Sequence, residues 1–341
     1  MKAIGNVILS IIIVLLPACS PVEKADENDP AAPPPLPSEA KFDIEWSSKS
    51  IIPAARGWLH PAACILNNKI YVIGGTPDDV SSTNKVTVYD PASDTWTEKQ
   101  PINVARWGHS SNVVDGKIYV MGGCPLVGPA LSSIEVYYPG ENKWEIIADV
   151  MPEGRMGFGS CVVNGKIYIM GGCTEEPTGN TALAKMNVYD PVTNTWTSLA
   201  PMPEARTYLG ASAVGNKIYA VGGTKEAPWD GLNSIFEYDI LTDTWRTKKD
   251  LITGRWAIST CSSDSMIFCI GGLTRPMDPG QKTVEVYFPL KDSIVKATSM
   301  LNGRGSLSSC VFQKKIYSFG GTASAYPWIN MSNKTEAGSF K

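Results

Sequence analysis

The chain has 341 residues, 30 basic and 33 acidic side chains and a net charge of −3, with a pI near 5.6. No basic block or stripe is present, which argues against a nucleic-acid binder. Hydrophobic content of 43% and charged content of 18% suit a soluble β protein with ample core.

Residues 1–19 stand apart from everything that follows. Lys2 precedes an apolar run from Val7 to Leu16, shorter than the roughly 20 residues a membrane-spanning helix needs. The run ends in Leu16-Pro17-Ala18-Cys19, a leucine three before a cysteine and a small residue directly before it, and so looks like a bacterial lipoprotein signal. That resemblance implies lipidation of Cys19 and export to the cell envelope, facing the periplasm or the outside, with firm anchoring through several acyl chains. Residues 20–41 are rich in proline, alanine and acid, with Pro33-Pro34-Pro35 and Pro37 among them. Such a stretch cannot build a core. It is expected to be a disordered tether holding the domain that begins at residue 42 roughly 25 to 70 Å from the membrane.

From there to residue 341 the chain repeats itself. The doublet Gly-Gly falls at Gly74-Gly75, Gly122-Gly123, Gly171-Gly172, Gly222-Gly223, Gly271-Gly272 and Gly320-Gly321, at intervals of 48, 49, 51, 49 and 49 residues. A strand-rich period of about 50 residues marks a propeller-type array. Each doublet closes an apolar strand, as in Ile70-Tyr71-Val72-Ile73 or Ile167-Tyr168-Ile169-Met170, and a turn-forming pair lies just upstream, strongest at Asp115-Gly116 and Asn164-Gly165 and weakest at Lys314-Lys315. Downstream, Tyr89 and Trp96, Tyr137 and Trp144, Tyr189 and Trp196, and Tyr238 and Trp245 stand seven apart around turn formers such as Asp90-Pro91 and Asp190-Pro191. Each unit therefore has four strands.

An arginine, a hairpin ending in Gly-Gly, then tyrosine and tryptophan: this pattern resembles the kelch repeat over nearly the whole chain after residue 41. The resemblance implies an all-β fold, a six-bladed kelch β-propeller of four-stranded blades. The last doublet has no Tyr/Trp pair after it, whereas Phe42-Asp43-Ile44-Glu45-Trp46 precedes the first with no hairpin before it, and Trp46 stands ten residues before Arg56 as Trp96 stands before Arg106. The N-terminal strand is therefore expected to complete the last blade, pairing an edge that would otherwise stay open. Ile294 takes the tryptophan place in the fifth blade, which predicts an altered outer strand, and the third strand of blade six is sought within Asn333 to Phe340.

Apart from Cys19, four cysteines (Cys64, Cys161, Cys261, Cys310) share one repeat position and Cys124 and Cys173 share another. Recurrence at a blade-equivalent position is what packing produces, so buried thiols are expected, with a Cys124 to Cys173 bridge the one disulfide kept open. No CxxC motif exists, and neither metal nor cofactor is expected.

Extending the blade-three hairpin from its Asn164-Gly165 turn places Arg155 opposite Thr174, so the blade arginines and the loops after the doublets share one face. Arg106, Arg155, Arg206, Arg255 and Arg304 each stand seventeen residues before a second doublet glycine, and Trp58 takes that offset in blade one. They are expected to ring the mouth of the central channel with the aromatics Trp58, Trp107, Phe158, Tyr208 and Trp256. Trp229, Tyr326 and Trp328 lie on the same face, with the charged residues Asp78, Asp79, Glu175, Glu176, Lys225, Asp230 and Arg275. Guanidinium forks suit carboxylates and aromatic faces suit sugar rings or peptide side chains; in adaptor-type kelch domains arginines at this repeat position bind acidic peptides, which the resemblance implies here. Each arginine also has a plain scaffold reading, a bond to backbone carbonyls at a blade junction.

The function expected is a membrane-tethered, monomeric binding module for a glycan or an acidic peptide or protein. An enzyme alternative resembles the exported kelch proteins that interconvert sialic acid anomers, with Glu175, Glu176 or His109 as candidates for proton transfer. A third reading is an envelope scaffold without a small ligand. The two histidines, His60 and His109, cannot alone build the copper site of galactose-oxidase-like kelch enzymes.

Overall fold

The computed structural model describes residues 41–53, 60–77, 81–126, 128–147, 151–174, 182–225, 229–323 and 331–341. The leader, the tether and Cys19 lie outside this set, as do Trp58, Asp78, Asp79, Glu175, Glu176, Tyr326 and Trp328. Strand β1 (Glu45–Lys49) comes first in the chain. Blade one follows as β2 (Ala62–Leu66), β3 (Lys69–Ile73), β4 (Val86–Asp90) and β5 (Thr95–Lys99), and blade two as β6 (Ser110–Val114), β7 (Lys117–Met121), β8 (Ile134–Tyr138) and β9 (Lys143–Ile147). Blade three holds β10 (Gly159–Val163), β11 (Lys166–Met170), β12 (Met186–Asp190) and β13 (Thr195–Leu199); blade four holds β14 (Gly210–Val214), β15 (Lys217–Val221), β16 (Ile235–Asp239) and β17 (Thr244–Thr247). Blade five holds β18 (Ser259–Ser263), β19 (Met266–Ile270), β20 (Val284–Phe288) and β21 (Ser293–Lys296). Blade six has β22 (Ser308–Phe312), β23 (Lys315–Phe319) and β24 (Thr335–Ser339), and β1 is its fourth strand.

The ring closes as its sequence implies. β1 runs antiparallel to β24 with Trp46 opposite Gly338, and the Trp46 indole N–H donates to the Thr298 carbonyl at 2.9 Å. Gly338 makes room for this: a Cβ there would lie 2.6 Å from Ile44 Cγ2 and 3.0 Å from the Trp46 ring. In blade five Ile294 faces Tyr287, and a 3-10 turn at Pro289–Lys291 leads into an outer strand of only four residues. One hairpin differs by a residue from its expected turn. Gln313 and Lys314 carry the left-handed backbone of the blade-six turn, and Lys315 begins β23.

Adjacent blades are fastened at their outer turns. Tyr89, Tyr137, Tyr189, Tyr238 and Tyr287 donate to the side chains five residues on, Asp94, Asn142, Asn194, Asp243 and Asp292, at 2.7 or 2.8 Å. These acceptors sit in left-handed backbone, which Asn and Asp tolerate through local hydrogen bonds. Asp94, Asp243 and Asp292 then accept a backbone N–H from the segment leading out of the preceding blade, at Ser50, Ala200 and Lys249. Tyrosine, turn and neighbouring blade thus form one connected unit.

Apolar layers between successive sheets make the core, for example Ile73, Val86, Val88, Ile118, Val120 and Tyr137 between blades one and two. Cys64, Cys161, Cys261 and Cys310 pack within such layers. The Cys124 to Cys173 bridge is not formed: both residues are thiols, the Cys124 S–H directed to the Gly128 carbonyl and that of Cys173 to the Met156 carbonyl.

Candidate functional site

The five blade arginines share a face with the doublet loops, as the register requires, but they do not line the mouth. Arg106, Arg155, Arg206, Arg255 and Arg304 are at most 1% exposed. Nη1 of Arg106, Arg206, Arg255 and Arg304 donates to the carbonyl of the first doublet glycine of its own blade at 2.8 to 2.9 Å. The backbone carbonyl of each arginine accepts the N–H of the second doublet glycine one blade earlier, from Gly75 to Arg106 through Gly272 to Arg304. The first glycine has to be glycine because this carbonyl sits on it. At Gly122, with φ of +59°, a Cβ would stand 2.6 Å from the Arg155 oxygen.

A carboxylate accompanies every one of these arginines. Arg106, Arg255 and Arg304 pair with Glu135, Glu285 and Glu336 at 2.7, 3.0 and 3.3 Å, all fully buried. These glutamates stand second in the third strands of their blades and also accept backbone N–H groups, Glu135 from Asn103 and Val104 and Glu336 from Leu301 and Asn302. In blades three and four that position holds Asn187 and Phe236, and the carboxylate moves to two residues before the arginine: Glu153 pairs with Arg155 at 2.8 Å and Glu204 with Arg206 at 2.9 Å. Asn187 accepts from Arg155 at 2.5 Å, and Phe236 presents its ring 4.3 Å from the Arg206 guanidinium. A buried guanidinium without such company would be costly; each of these is already neutralised by a carboxylate and closed off from solvent, so it presents no charge to an anionic ligand. The arginine mouth expected from the sequence is corrected: the arginines are scaffold one layer beneath it.

Aromatic residues occupy the mouth itself. The rings of His60 and Trp107 are 5.4 Å apart, His60 and Tyr208 5.2 Å, Tyr208 and Trp229 5.9 Å, Tyr208 and Trp256 5.8 Å, and Trp229 and Trp256 5.4 Å. Trp229 and His60 keep part of their surface exposed, whereas Trp107, Tyr208 and Trp256 are buried. The Trp107 indole N–H is buried without a partner among the described residues. Beneath the rings, His60, Gly108, Gly157, Tyr208, Ala257 and Ser306 occupy one repeat position at the starts of the inner strands, and all six have positive φ. Five backbone hydrogen bonds run around the axis through them, from Gly157 N to Gly108 O, Tyr208 N to Gly157 O, Ala257 N to Tyr208 O, Ser306 N to Ala257 O and His60 N to Ser306 O. Left-handed backbone at bulky Tyr208 and His60 costs of order 1 to 3 kcal/mol each and persists only where surroundings impose it; here the hydrogen-bonded belt imposes it.

Two cavities follow the belt down the axis. One, of about 90 Å³, is lined by His60, His109, Phe158, Tyr208, Leu209 and Ser306 among others. The next, of about 200 Å³, is lined largely by hydroxyl and small side chains, including Ser111, Ser160, Thr260 and Ser309. No described arginine or carboxylate lines either. His109 borders both, and burial followed by the charge of Arg106 lowers its pKa to about 3 against an opposing pull from the Ile73 backbone. It is neutral at ordinary pH, and neither ring nitrogen makes a hydrogen bond of standard geometry. Of the loop charges, Arg275 and Asp230 stand 3.7 Å apart in open solvent, and Lys225 pairs with Glu204 at 2.5 Å.

These blades are those of a kelch-repeat propeller, and sequence comparison agrees: the KLHDC2/KLHL20/DRC7 Kelch-repeats domain matches residues 44–223 and 151–321. The chain belongs to the kelch-repeat family. Kelch-like protein 25 of Xenopus tropicalis is 28% identical over 186 residues, 54% of this chain and 24% of that protein, and its Xenopus laevis counterpart is 28% identical over 186 residues. The chain spans about a quarter of the length of these relatives. The solved structure of YjhT superposes with a TM-score of 0.70 at 16% identity, covering 84% of this chain and 96% of that one, a likeness of fold.

Proposed function

We propose that the protein is a binding module whose ligand rests on the doublet face, against the aromatic cluster of His60, Trp107, Tyr208, Trp229 and Trp256, and that this ligand is a glycan. The kelch propeller fold supports a binding and interaction role. The observation that carries the choice of ligand is the cluster itself. Its part-exposed rings, His60 and Trp229, offer apolar faces to a sugar ring over the buried Trp107, Tyr208 and Trp256 packed behind them, and the Trp107 N–H lies among them without a described partner. An acidic peptide loses its main attraction once the five arginines are committed to carbonyls and carboxylates.

The sugar-acid mutarotase alternative needs an accessible guanidinium and a proton-transferring group in one enclosed pocket. Among the described residues His109 borders the axial cavities without an arginine or carboxylate beside it in their walls, and Glu175 and Glu176 lie outside that set. Binding without turnover is therefore the reading adopted. The propeller is taken to be monomeric, exported and held at a bacterial envelope by lipid on Cys19; the support for the anchor is the Leu16-Pro17-Ala18-Cys19 pattern.

A glycan and sugar-acid array probed with the purified protein tests the proposal. Saccharide binding that weakens in Trp229→Ala supports it. Binding confined to acidic peptides, or to no saccharide, overturns it, and anomer exchange of a bound sugar acid followed by NMR would instead establish the enzyme.

A further inference from the structure

The hairpin end of the propeller carries a feature the binding site does not use. β12 starts at Met186, opposite Met170 beside its doublet, and ends at Asp190 on the face of the inner hairpin turns; the turn joining it to β13 therefore lies on this hairpin face. The same holds for the equivalent turn of blades one, two, four and five, whereas blade six takes its outer strand from β1 and has no such turn. The middle residue of that turn is Ala92 in blade one and Gly140 in blade two, but Val192, Leu241 and Leu290 in blades three, four and five. These three are 81%, 78% and 89% exposed. Scattered surface leucines need no explanation. Three large apolar side chains at one repeat position of consecutive blades, each at the tip of a turn, form a row that one flat apolar surface can meet.

The register of β1 shows what that surface is. Glu45 pairs with Ser339, and Ser339 pairs with Lys315 at the inner hairpin turn of blade six. The chain therefore joins the propeller on the hairpin face, at the blade next to Leu290, and the anchor read at Cys19 lies 22 residues before Lys41. We propose that Val192, Leu241 and Leu290 dock the propeller onto the lipid surface that holds its anchor, so that the aromatic mouth on the opposite face points away from the membrane. This rests on the anchoring reading.

Most of the charges beside the turns are already engaged: Lys166 and Lys217 are paired with Asp190 and Asp239, and Asp292 next to Leu290 is paired with Lys248. Three apolar tips would bind free vesicles weakly. A short tether supplies an effective concentration of order millimolar, at which a weak contact is occupied.

The experiment uses the full-length protein purified from bacterial membranes and reconstituted on phosphatidylethanolamine and phosphatidylglycerol vesicles. An environment-sensitive fluorophore is attached at Leu241→Cys, at Leu290→Cys or, as the opposite-face control, at Met277→Cys, which is exposed in the blade-five doublet loop; the described native thiols are buried. Docking predicts blue-shifted emission and quenching by brominated lipid at 241 and 290, water-like emission at 277, and loss of the shift at 290 when Val192→Ser and Leu241→Ser are added. Protein that floats with the vesicles while all three labels stay water-exposed overturns the docking and leaves the anchor standing. A blue shift without vesicles that grows with protein concentration shows that a second copy covers the row and overturns it as well. Full-length protein that does not float overturns the anchor and the docking with it.

Discussion

The Arg106 guanidinium meets the Glu135 carboxylate at 2.7 Å with neither side chain reaching solvent. Glu135 also accepts the backbone N–H groups of Asn103 and Val104, so one carboxylate neutralises an arginine and ties the chain arriving from blade one to the third strand of blade two. Glu135→Ala strands a buried cation and is expected to cost about 3 to 5 kcal/mol. The double variant Arg106→Leu/Glu135→Leu is expected to lose less than the two single changes summed. Urea unfolding of the set checks this, and additive losses would mean that the two side chains do not act together.

Blades three and four hold the carboxylate in a different place, and that difference can be reversed. Glu204→Thr copies the Thr253 of blade five into blade four and is expected to destabilise the protein by a few kcal/mol, because Arg206 keeps only its carbonyls, its serine contact and the Phe236 ring. Adding Phe236→Glu supplies the missing charge where blade five has Glu285. Thermal unfolding should show the double variant recovering stability relative to Glu204→Thr alone.

The fold was open to sequence reading because each requirement recurs. Six doublets in register, turn pairs upstream and Tyr/Trp pairs downstream specify four-stranded blades, and the stray Trp46 specifies the closure. The site was harder to read. An arginine at a fixed offset looks the same whether it faces a ligand or a carbonyl, and what separates the two is its partner. That signal was present but dispersed: Glu135, Glu285 and Glu336 stand 29, 30 and 32 residues after their arginines, and the glutamates of blades three and four stand two before theirs. The hydrogen-bonded belt had no such signature, since His60, Gly108, Gly157, Tyr208, Ala257 and Ser306 share backbone geometry and no side-chain chemistry.

Buried thiols give a simple reactivity test. Burial pushes Cys64 and Cys161 up to about 12 and raises Cys261 and Cys310 as well, so little thiolate exists at neutral pH. A thiol reagent is expected to leave Cys64, Cys124, Cys161, Cys173, Cys261, Cys269 and Cys310 unmodified in native protein and to reach all seven on unfolding without reductant. Recovery of only five of these by peptide mapping would show that Cys124 and Cys173 are bridged.

His109 predicts an acid dependence. Its pKa falls from 6.5 to about 3 on folding, so between those values the unfolded chain binds a proton that the folded one does not. Stability is then fully retained above about pH 6.5 and declines as the pH falls towards 3, with a limiting slope of about 1.4 kcal/mol per pH unit for this group. Carboxylates add their own acid dependence, so the informative quantity is the difference from His109→Gln. That variant is expected to lose less stability between pH 7 and pH 4.5 in urea titrations, and parallel curves would contradict the assignment.

The most direct measurement is calorimetric titration of the strongest saccharide found on the array into wild-type protein and Trp229→Ala, with circular dichroism confirming that both are folded. A mouth that binds through its rings predicts at least a tenfold weaker dissociation constant in the variant, consistent with the roughly 1 to 3 kcal/mol that burying one aromatic face contributes. Equal affinity in the two proteins would place the ligand elsewhere on the propeller and contradict the aromatic mouth as the binding surface.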